Sequence, residues 1–353
     1  MTTTQTPATL GFFMPAEWTP HAATWMGWPF DDDYWEGYLE AARVDFTGLI
    51  RTIANFEPVI VSVLDKESFE DAQQRLGATP NGLHNIRFRQ TEIDDVWFRD
   101  SGPLFIQNTQ GKIALTDWGF NAWGNKFNWQ KDIDVPKHIA NELGMKRFEV
   151  PIVMEGGALD VNNHGVLLTT KQCLLNPNRN PTFTQNQIEQ YLKDYLGIKQ
   201  FIWLENGLEG DKTDGHVDTI TRFANDDTIV TSVCEDKNDS NYAPMQENLE
   251  LLKKARQANG HPYNLIELPL PTQIIHVADE RLPMTYANFY IGNGFVVIPT
   301  YNESNDQRAL NILQNTFPEH KVISLPSLGI VAGGGSFHCV TQQQPTGETL
   351  SES

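Results

Sequence analysis

The segment EGGALDVNNHGVLLTTKQCL, residues 155–174, has a glycine kink, a short apolar run, a turn rich in Asn and Gly, and a second apolar run. Two apolar runs separated by such a turn are typical of a β-hairpin. The segment therefore predicts two paired strands with their turn at Asn162–Gly165.

Four further segments repeat this pattern at intervals of about 50–70 residues. Segments with apolar residues at helical spacing lie between them, at residues 35–54, 183–195, 245–258 and 306–317. A repeat of this length indicates a closed array of similar units. We therefore predict an α/β fold, a five-fold pseudo-symmetric α/β propeller built of ββαβ-like units, with a plain α+β domain as the alternative. The further copies are RDSGPLFIQNTQGKIALTDW (99–118), GHVDTITRFANDDTIVTSVC (215–234), TYANFYIGNGFVVIPTY (285–301) and GGGSFHCVTQQQ (333–344).

The chain has 353 residues, with 26 Lys and Arg against 45 Asp and Glu, and a formal net charge of −19 at pH 7. Such a charge repels nucleic-acid phosphates and anionic lipid headgroups and favours small cationic ligands. The sequence shows neither a signal peptide nor an apolar run long enough to span a membrane. We expect a cytoplasmic protein that binds a small cation, neither nucleic acid nor membrane, and that can form a homo-oligomer.

No low-complexity linker divides the chain. We predict a single catalytic domain over residues 12–345, a flexible N-terminal tail over 1–11 and a flexible C-terminal tail over 346–353.

The three cysteines, Cys173, Cys234 and Cys339, are far apart in the sequence and form no C-x-x-C pair. This spacing argues against a disulfide framework and a structural zinc site. Cys173 and Cys234 end apolar strands, as buried structural cysteines do. Cys339 follows Gly333–Gly335, and a cysteine after such a turn can be a nucleophile where a positive neighbour lowers its pKa.

Chemically active residues recur at the start of each predicted hairpin: Asp100, Glu155, His216 with Asp218, Asn288, and Cys339. A closed ring of units would bring them together at one end of its axis. His216 and Asp218 are two residues apart, which on a strand places both side chains on one face. We expect His338, the neighbour of Cys339, to face the opposite way.

Two carboxylates, a thiol and a histidine suit a guanidinium substrate. Carboxylates match the fork of guanidinium N–H groups bidentately and leave the central carbon open to a thiolate. The histidine can protonate the departing ammonia and then activate water. Tryptophan side chains can line such a pocket through cation–π contacts.

Six motifs resemble those of the agmatine deiminase family, one of the peptidylarginine-deiminase-like groups within the guanidino-group-modifying superfamily. The resemblance covers about residues 12–345 and implies a five-fold α/β propeller that hydrolyses agmatine to N-carbamoylputrescine and ammonia without a metal or other cofactor. The motifs are WFRDSGP (97–103), DWGFNAWG (117–124), MEGGALDV (154–161), CLLNPNRNP (173–181), TDGHVD (213–218) and GGGSFHCVTQQ (333–343).

The resemblance also implies the residue roles. Cys339 is the nucleophile that forms an amidino-cysteine intermediate, and His216 is the general acid and base. Asp100 and Asp218 hold the guanidinium, and Glu155 supports His216. Trp97 and Trp123 match positions of the pocket wall.

Lys212 makes the substrate's tail uncertain, because members of the family usually carry an acidic residue near this position. If Lys212 faces the pocket, it repels a terminal ammonium and favours a carboxylate-bearing guanidino compound. If it points to solvent, as most lysines do, Asp211 or Asp214 is left to meet the amine.

Three other functions remain as alternatives. Asp214-Gly215-His216-Val217-Asp218 has the D-x-H-x-D pattern of a binuclear-metal ureohydrolase, although such a site needs further Asp and His ligands. A non-catalytic module that binds cations would not need a thiol. A deiminase of peptidyl-arginine would use the same chemistry on a larger substrate.

Overall fold

The computed structural model describes residues 5–77 and 84–351 of the chain. The fold is mixed α/β, with short sheets and helices alternating along the sequence. The strands are β1 (Phe12–Phe13), β2 (His21–Gly27), β3 (Val59–Val63), β4 (Ile86–Gln90), β5 (Leu104–Asn108), β6 (Lys112–Gly119), β7 (Arg147–Val153), β8 (Asp160–Val161), β9 (Val166–Thr170), β10 (Gln200–Leu204), β11 (Thr221–Asn225), β12 (Thr228–Val233), β13 (Asn264–Pro269), β14 (His276–Val277), β15 (Glu280–Arg281), β16 (Tyr290–Gly292), β17 (Phe295–Thr300), β18 (Lys321–Pro326), β19 (Gln342–Pro345) and β20 (Glu348–Thr349). The α-helices are α1 (Leu39–Ala54), α2 (Lys66–Gly77), α3 (Phe98–Ser101), α4 (Ala122–Asn125), α5 (Val135–Leu143), α6 (Lys171–Leu174), α7 (Gln185–Leu196), α8 (Tyr242–Lys254), α9 (Asp306–Thr316) and α10 (Leu328–Val331).

Five sheets share one arrangement: a strand pairs antiparallel with a second, and the second pairs parallel with a third. In four sheets the three strands follow one another in the chain, namely β5-β6-β7, β8-β9-β10, β11-β12-β13 and β16-β17-β18. In the fifth sheet, β19 from the C-terminal part of the chain pairs antiparallel with β2, which is parallel to β3. The hairpin predicted over 333–344 is therefore wrong, because its single strand has no second apolar run beside it and pairs with His21–Gly27 instead.

A helix crosses from the second to the third strand in each of these sheets, as a parallel pair requires. These helices are α1, α5, α7, α8 and α9. Four were predicted within a few residues of their observed ends, and α5 was not predicted. The predicted turn at Asn162–Gly165 is confirmed between β8 and β9.

The crossover helices bury one apolar face each. In α1 the buried residues recur every three or four positions, from Leu39 to Ile53, as an amphipathic helix requires. The cluster that α1 forms with β3 extends inward to Trp97, Trp123 and Cys339. The apolar core of this sheet therefore reaches the candidate site directly.

Strand pairing can be compared with the predicted N-terminal and C-terminal tails. Phe12–Phe13, at the start of the predicted domain, pairs with β5, whereas Glu348–Thr349, within the predicted C-terminal tail, pairs with β6 and so belongs to a sheet. Residues 1–4 and 352–353 of these tails lie outside the described residues. None of the helices in the described ranges combines the length and apolar character needed to cross a bilayer.

Candidate active site

Three predicted site residues, one from the short helix before β5 and two from the segment before β11, converge on the backbone of Gly157. A Cβ atom added to Gly157 would lie 2.5 Å from Nδ1 of His216, 2.8 Å from Oδ1 of Asp100 and 3.1 Å from Oδ2 of Asp218. All three side chains are buried. The structure thus brings together groups that are more than a hundred residues apart in the sequence.

Short helical turns, rather than strand ends, position these side chains. Asp100 lies in the four-residue helix α3, and Glu155 immediately precedes the 3₁₀ turn Gly156–Ala158. His216 precedes a second 3₁₀ turn, which contains Asp218. The prediction that His216 and Asp218 share a strand face is therefore wrong in its geometry, because β11 begins only at Thr221, although both side chains still reach the same place.

Asn288 contacts Cys339 at two points. Its Nδ2 donates to Sγ at 3.2 Å, and its Oδ1 accepts from the backbone N–H of Cys339 at 3.2 Å. Oδ2 of Asp218 lies 3.6 Å from the same sulfur. Burial, followed by the charges of Asp218 and Asp100, raises the pKa of the Cys339 thiol well above its usual value. The free protein therefore holds Cys339 as a thiol.

Both carboxylate oxygens of Asp100 accept hydrogen bonds. The backbone N–H of Gly157 donates to Oδ1, and Nε1 of Trp123 donates to Oδ2, each at 2.9 Å. Burial raises the pKa of Asp100 to about 6, and the charge of Asp218 adds to this effect. Asp100 is therefore ionised at neutral pH and becomes protonated in mild acid.

Asp218 is held from one side only. Nδ1 of His338 lies 2.7 Å from Oδ2, whereas Oδ1 is buried and has no hydrogen-bond partner among the described residues. Burial opposes ionisation, but the hydrogen bond from His338 and the charges of His338 and His216 lower the pKa of Asp218 overall. The expectation that His338 faces away is wrong, because the chain turns helically around Cys339 rather than continuing as a strand.

His216 lies between two carboxylates without hydrogen bonding to either. Its Nδ1 is 3.7 Å from Oδ1 of Asp100, and its Nε2 is 3.9 Å from Oε2 of Glu155. Burial favours the neutral ring, but the charge of Asp100 and contacts with Cys173 and Glu155 raise the pKa of His216 well above its usual value. At neutral pH this residue is an imidazolium, ready to donate a proton.

Arg179 binds the carboxylate oxygen of Glu155 that lies away from His216. Its Nε donates to Oε1 of Glu155 at 2.6 Å, and both groups are fully buried. Burial raises the pKa of Glu155, but the charges of Arg179 and His216 outweigh it and lower the pKa below its usual value. Glu155 is therefore a permanent counter-charge behind the His216 ring.

One group of possible metal ligands lies close together within residues 5–77 and 84–351. The ligand atoms of Glu155, Cys173 and His216 are within 4.8 Å of one another. Asp214 does not join them, although it belongs to the D-x-H-x-D pattern. Its carboxylate pairs with Lys126 and Arg179, at 2.7 Å each. The pattern thus does not assemble a binuclear cluster, and Asp214 is also directed away from the predicted substrate contact.

An aromatic-walled pocket leads from the surface to Asp100 and Cys339. Trp97 and Trp123 form part of its wall, and Gly335 approaches the sulfur so closely that an added Cβ would lie 3.0 Å from it. His216, Asp218 and Glu155 lie behind this pocket. The remaining lining residues are Tyr34, Phe127, Lys212, Thr213, Gly333 and Gly334.

Lys212 lines this pocket rather than pointing only to solvent. Its Nζ lies 3.0 Å from Oε2 of Glu280 and 5.9 Å from the centre of the Phe127 ring. Beyond Lys212 the pocket adjoins a wider surface cavity of about 1200 Å³, whose lining includes Glu280 and Asp279. The rim therefore carries an ion pair that the tail of any elongated ligand must meet.

Sequence reasoning missed several side chains of the site. Arg179 lies within the quoted motif CLLNPNRNP, but a motif does not show which carboxylate an arginine will contact. Tyr34 accepts from Nε1 of Trp97 at 2.9 Å and comes from a loop without any recognisable pattern. The position of His338 beside Cys339 was the one available signal for its role.

Residues 13–345 match the family described as Porphyromonas-type peptidyl-arginine deiminase. Among similar proteins are agmatine deiminases of Ectopseudomonas mendocina and Pseudomonas aeruginosa, each 39% identical to this chain. The first alignment covers 98% of both chains, and the second covers 97% of this chain and 98% of the other.

Solved structures of two agmatine deiminases are also similar. That of Enterococcus faecalis, described as catalysing its reaction, has a TM-score of 0.91 at 32% identity, covering 97% of this chain and 98% of the other. That of C. jejuni, with substrate bound, has a TM-score of 0.87 at 33% identity, covering 96% of this chain and 97% of the other.

Proposed function

The chain belongs to the Porphyromonas-type peptidyl-arginine deiminase family, and on that premise we propose that it is a hydrolase that converts agmatine and water to N-carbamoylputrescine and ammonia. The observation that carries this proposal is the placement of Cys339 Sγ, 3.6 Å from the carboxylate of Asp218 at the end of the aromatic-walled pocket. A thiol beside a buried carboxylate suits a cationic carbon electrophile.

The guanidinium binds between Asp100 and Asp218. Oδ1 of Asp218 is buried and has no hydrogen-bond partner within residues 5–77 and 84–351, so it can accept substrate N–H groups. Asp100 faces the same space across Gly157. The aromatic walls at Trp97 and Trp123 exclude water and stabilise the planar cation over their faces.

Substrate binding itself activates the nucleophile. In the free site the charges of Asp100 and Asp218 oppose a thiolate at Cys339. A guanidinium bound to both carboxylates neutralises them and places a positive charge beside the sulfur, which lowers the thiol pKa. The thiol then loses its proton to water, and the Nδ2–H of Asn288 remains to stabilise the thiolate.

In the first chemical step the thiolate adds to the central guanidinium carbon and a C–S bond forms. The imidazolium of His216 gives its proton to one amino group, the C–N bond breaks, and ammonia leaves an amidino-cysteine. In the second step the neutral His216 takes a proton from water as the water oxygen attacks the same carbon. The C–S bond then breaks as the hydroxyl proton of this intermediate passes to the departing sulfur, which yields the ureido product and restores the Cys339 thiol.

The deciding experiment measures ammonia and ureido product from the purified protein with agmatine, arginine, a peptidyl-arginine and 4-guanidinobutyrate. We expect agmatine to have the highest kcat/KM. If the protein turns over none of these four compounds, the proposed function is overturned.

One observation favours a second candidate. Lys212 presents an ammonium at the pocket rim, where a carboxylate-bearing guanidino compound would bind it and agmatine's own ammonium would be repelled. Glu280 offers agmatine a partner at the same point. The two substrates therefore differ in which member of the Lys212–Glu280 pair they use.

We also propose that the five similar sheets surround a pseudo-five-fold axis in one catalytic domain over residues 12–345. The pairing of β19 with β2 supports this arrangement, because it completes the first unit with the last strand of the repeat.

We likewise propose a cytoplasmic location and a homo-oligomeric state. Cys173, Cys234 and Cys339 are all free, which suits a reducing compartment.

A further inference from the structure

His338 bridges two buried carboxylates. Its Nδ1 lies 2.7 Å from Oδ2 of Asp218, and its Nε2 lies 2.8 Å from Oε2 of Glu17. The side chains of all three residues are at most 7% exposed. A neutral imidazole has one N–H donor and one acceptor nitrogen, and an ionised carboxylate only accepts. Two such contacts are satisfied together when both ring nitrogens carry a proton.

The surrounding charges require the same state. Arg222 contacts both Glu17 and Asp160, and the Nε of Arg99 donates to the backbone carbonyl of His338. Glu17, Asp160 and Asp218 contribute three negative charges, whereas Arg99 and Arg222 contribute two positive charges. An imidazolium at His338 balances this buried cluster, and a neutral ring would leave one carboxylate uncompensated.

The contact between His338 and Asp218 involves only one of the two carboxylate oxygens of Asp218. Oδ2, which is the oxygen 3.6 Å from Cys339 Sγ, is bound by His338. Oδ1 is left as the buried acceptor without a partner among the described side chains. A charged donor on Oδ2 therefore fixes the carboxylate so that Oδ1 faces the substrate, and it reduces the repulsion between Asp218 and a thiolate.

We propose that His338, held as an imidazolium by Glu17, is a positioning residue that orients Asp218 and keeps it ionised for guanidinium binding. This inference rests on the proposed deiminase function. It assigns a role in that site to Glu17, a residue of the N-terminal segment before β2, through the chain Glu17–His338–Asp218.

Other charged groups also face Asp218, and they determine how a substitution of His338 should change the pH profile of kcat/KM. From the pocket side these are His216, Asp100 and Cys339; from the preceding loop, Asp211; and from the core, Arg222 and Arg99. Asp100 becomes protonated near pH 6, so it governs the acid limb of kcat/KM in the wild-type protein. Without the His338 charge, burial raises the pKa of Asp218, and Asp218 joins Asp100 in that limb.

The test compares wild type with His338→Gln, which keeps a neutral donor and removes the charge. We expect the acid limb of the kcat/KM profile for agmatine to move to higher pH and to become steeper, because two carboxylates then take up protons. At pH 8, kcat/KM should fall at least about tenfold, as expected when a charge-assisted hydrogen bond is lost. An unchanged acid limb would overturn the proposal.

Ser68→Ala is the control. Ser68 is also buried and bonds a carboxylate, with Oγ 2.9 Å from Oδ1 of Asp65, but it lies in the first turn of α2 and does not touch Glu17, His338 or Asp218. We expect this variant to lose thermal stability like His338→Gln and to keep the wild-type acid limb. Equal displacement of the limb in both variants would assign the effect to general destabilisation and would overturn the proposal.

A measurement on the wild-type protein keeps the inference testable where His338→Gln does not fold. With ¹⁵N-labelled histidine, both ring nitrogens of His338 should carry protons under the conditions of the activity assay, because each lies within hydrogen-bond distance of a buried carboxylate. A single protonated ring nitrogen would contradict the bridge. Failure of the wild-type protein to release ammonia from any guanidino compound would instead overturn the proposed function, and the NMR result would still test the bridge.

Discussion

The carboxamide of Asn288 binds Cys339 at its side chain and at its backbone. Nδ2 of Asn288 donates to Sγ of Cys339 at 3.2 Å, and Oδ1 of Asn288 accepts from the backbone N–H of Cys339 at 3.2 Å. One side chain therefore fixes the backbone of Cys339, the proposed nucleophile, and offers a donor to its thiolate. Because Asp100 and Asp218 both disfavour negative charge on the sulfur, this donor offsets part of their effect.

Asn288→Asp should therefore impair the nucleophile strongly. The substitution preserves the shape of the side chain but replaces an N–H donor with a third carboxylate oxygen beside the sulfur. We expect kcat to fall about 10²-fold or more, comparable with the loss of one preorganised donor from an oxyanion hole. Steady-state kinetics with agmatine measure this effect, and a kcat within threefold of wild type would contradict it.

Cys339→Ser should abolish turnover, whereas Cys173→Ser and Cys234→Ser should retain it. A serine alkoxide is far harder to generate at neutral pH than a thiolate. Cys173 lies behind His216 and Cys234 lies outside the pocket, so neither can reach the substrate carbon. Ammonia release and mass spectrometry for an amidino adduct distinguish the three variants. Substantial activity in Cys339→Ser would exclude the covalent mechanism.

The catalytic pH profile should report the ionisation of Asp100. Burial raises the pKa of Asp100 to about 6, and in the proposed mechanism its ionised form binds the guanidinium. The value of kcat/KM should therefore hold above about pH 6 and fall about tenfold per pH unit below it. Trp123→Phe removes the N–H that stabilises the carboxylate, so it should raise the pKa of Asp100 and move this limb to higher pH.

Trp129→Phe is the control for that variant. Trp129 also donates through Nε1, but its acceptor is Oδ1 of Asn125 at 3.1 Å and it lies outside the pocket lining. Its acid limb should coincide with that of the wild-type protein. If Trp123→Phe leaves the limb in place as well, Asp100 does not control it.

Sequence patterns predicted the units of the fold better than their local geometry. Hairpin turns such as Asn162–Gly165 follow from Asn and Gly alone, because these residues accept the required backbone conformations. The pairing of β19 with β2 could not be predicted, since it joins segments more than 300 residues apart that contain no complementary local signal.

In the site, too, residue types were easier to predict from the sequence than side-chain orientations. Cys339, His216 and Asp218 could be proposed as site residues from motifs, because their chemistry is carried by the residue type. The orientation of His338 depends on the helical turn around Cys339 and on Glu17, a distant residue in the sequence. Alternation along a strand predicted the opposite orientation, and only the tertiary contacts correct it.

Gly157→Ala should remove activity and cost about 1–3 kcal/mol of stability, because its methyl group overpacks a buried site. The added methyl group would lie 2.5 Å from Nδ1 of His216 and 2.8 Å from Oδ1 of Asp100, within the space that the guanidinium needs. A displacement of about 1 Å in such a site can reduce turnover about 10²-fold. Gly48→Ala in α1 is the control, because nothing lies within 4 Å of its added Cβ. Gly157→Ala kinetics equal to those of Gly48→Ala would place the reaction elsewhere.

Lys212→Asp should change substrate preference at the pocket rim. Nζ of Lys212 lies 3.0 Å from Oε2 of Glu280, so the substitution removes a cation and leaves two carboxylates facing the substrate's tail. We expect kcat/KM to rise for agmatine and to fall for 4-guanidinobutyrate, each by about tenfold, and to stay constant for butylguanidine, whose tail is uncharged. Lys237→Asp, at an exposed position outside the pocket lining, controls for the change in net charge. If the ratio for the two charged substrates is the same in all three proteins, the tail does not reach Lys212, and specificity is set by the aromatic pocket alone.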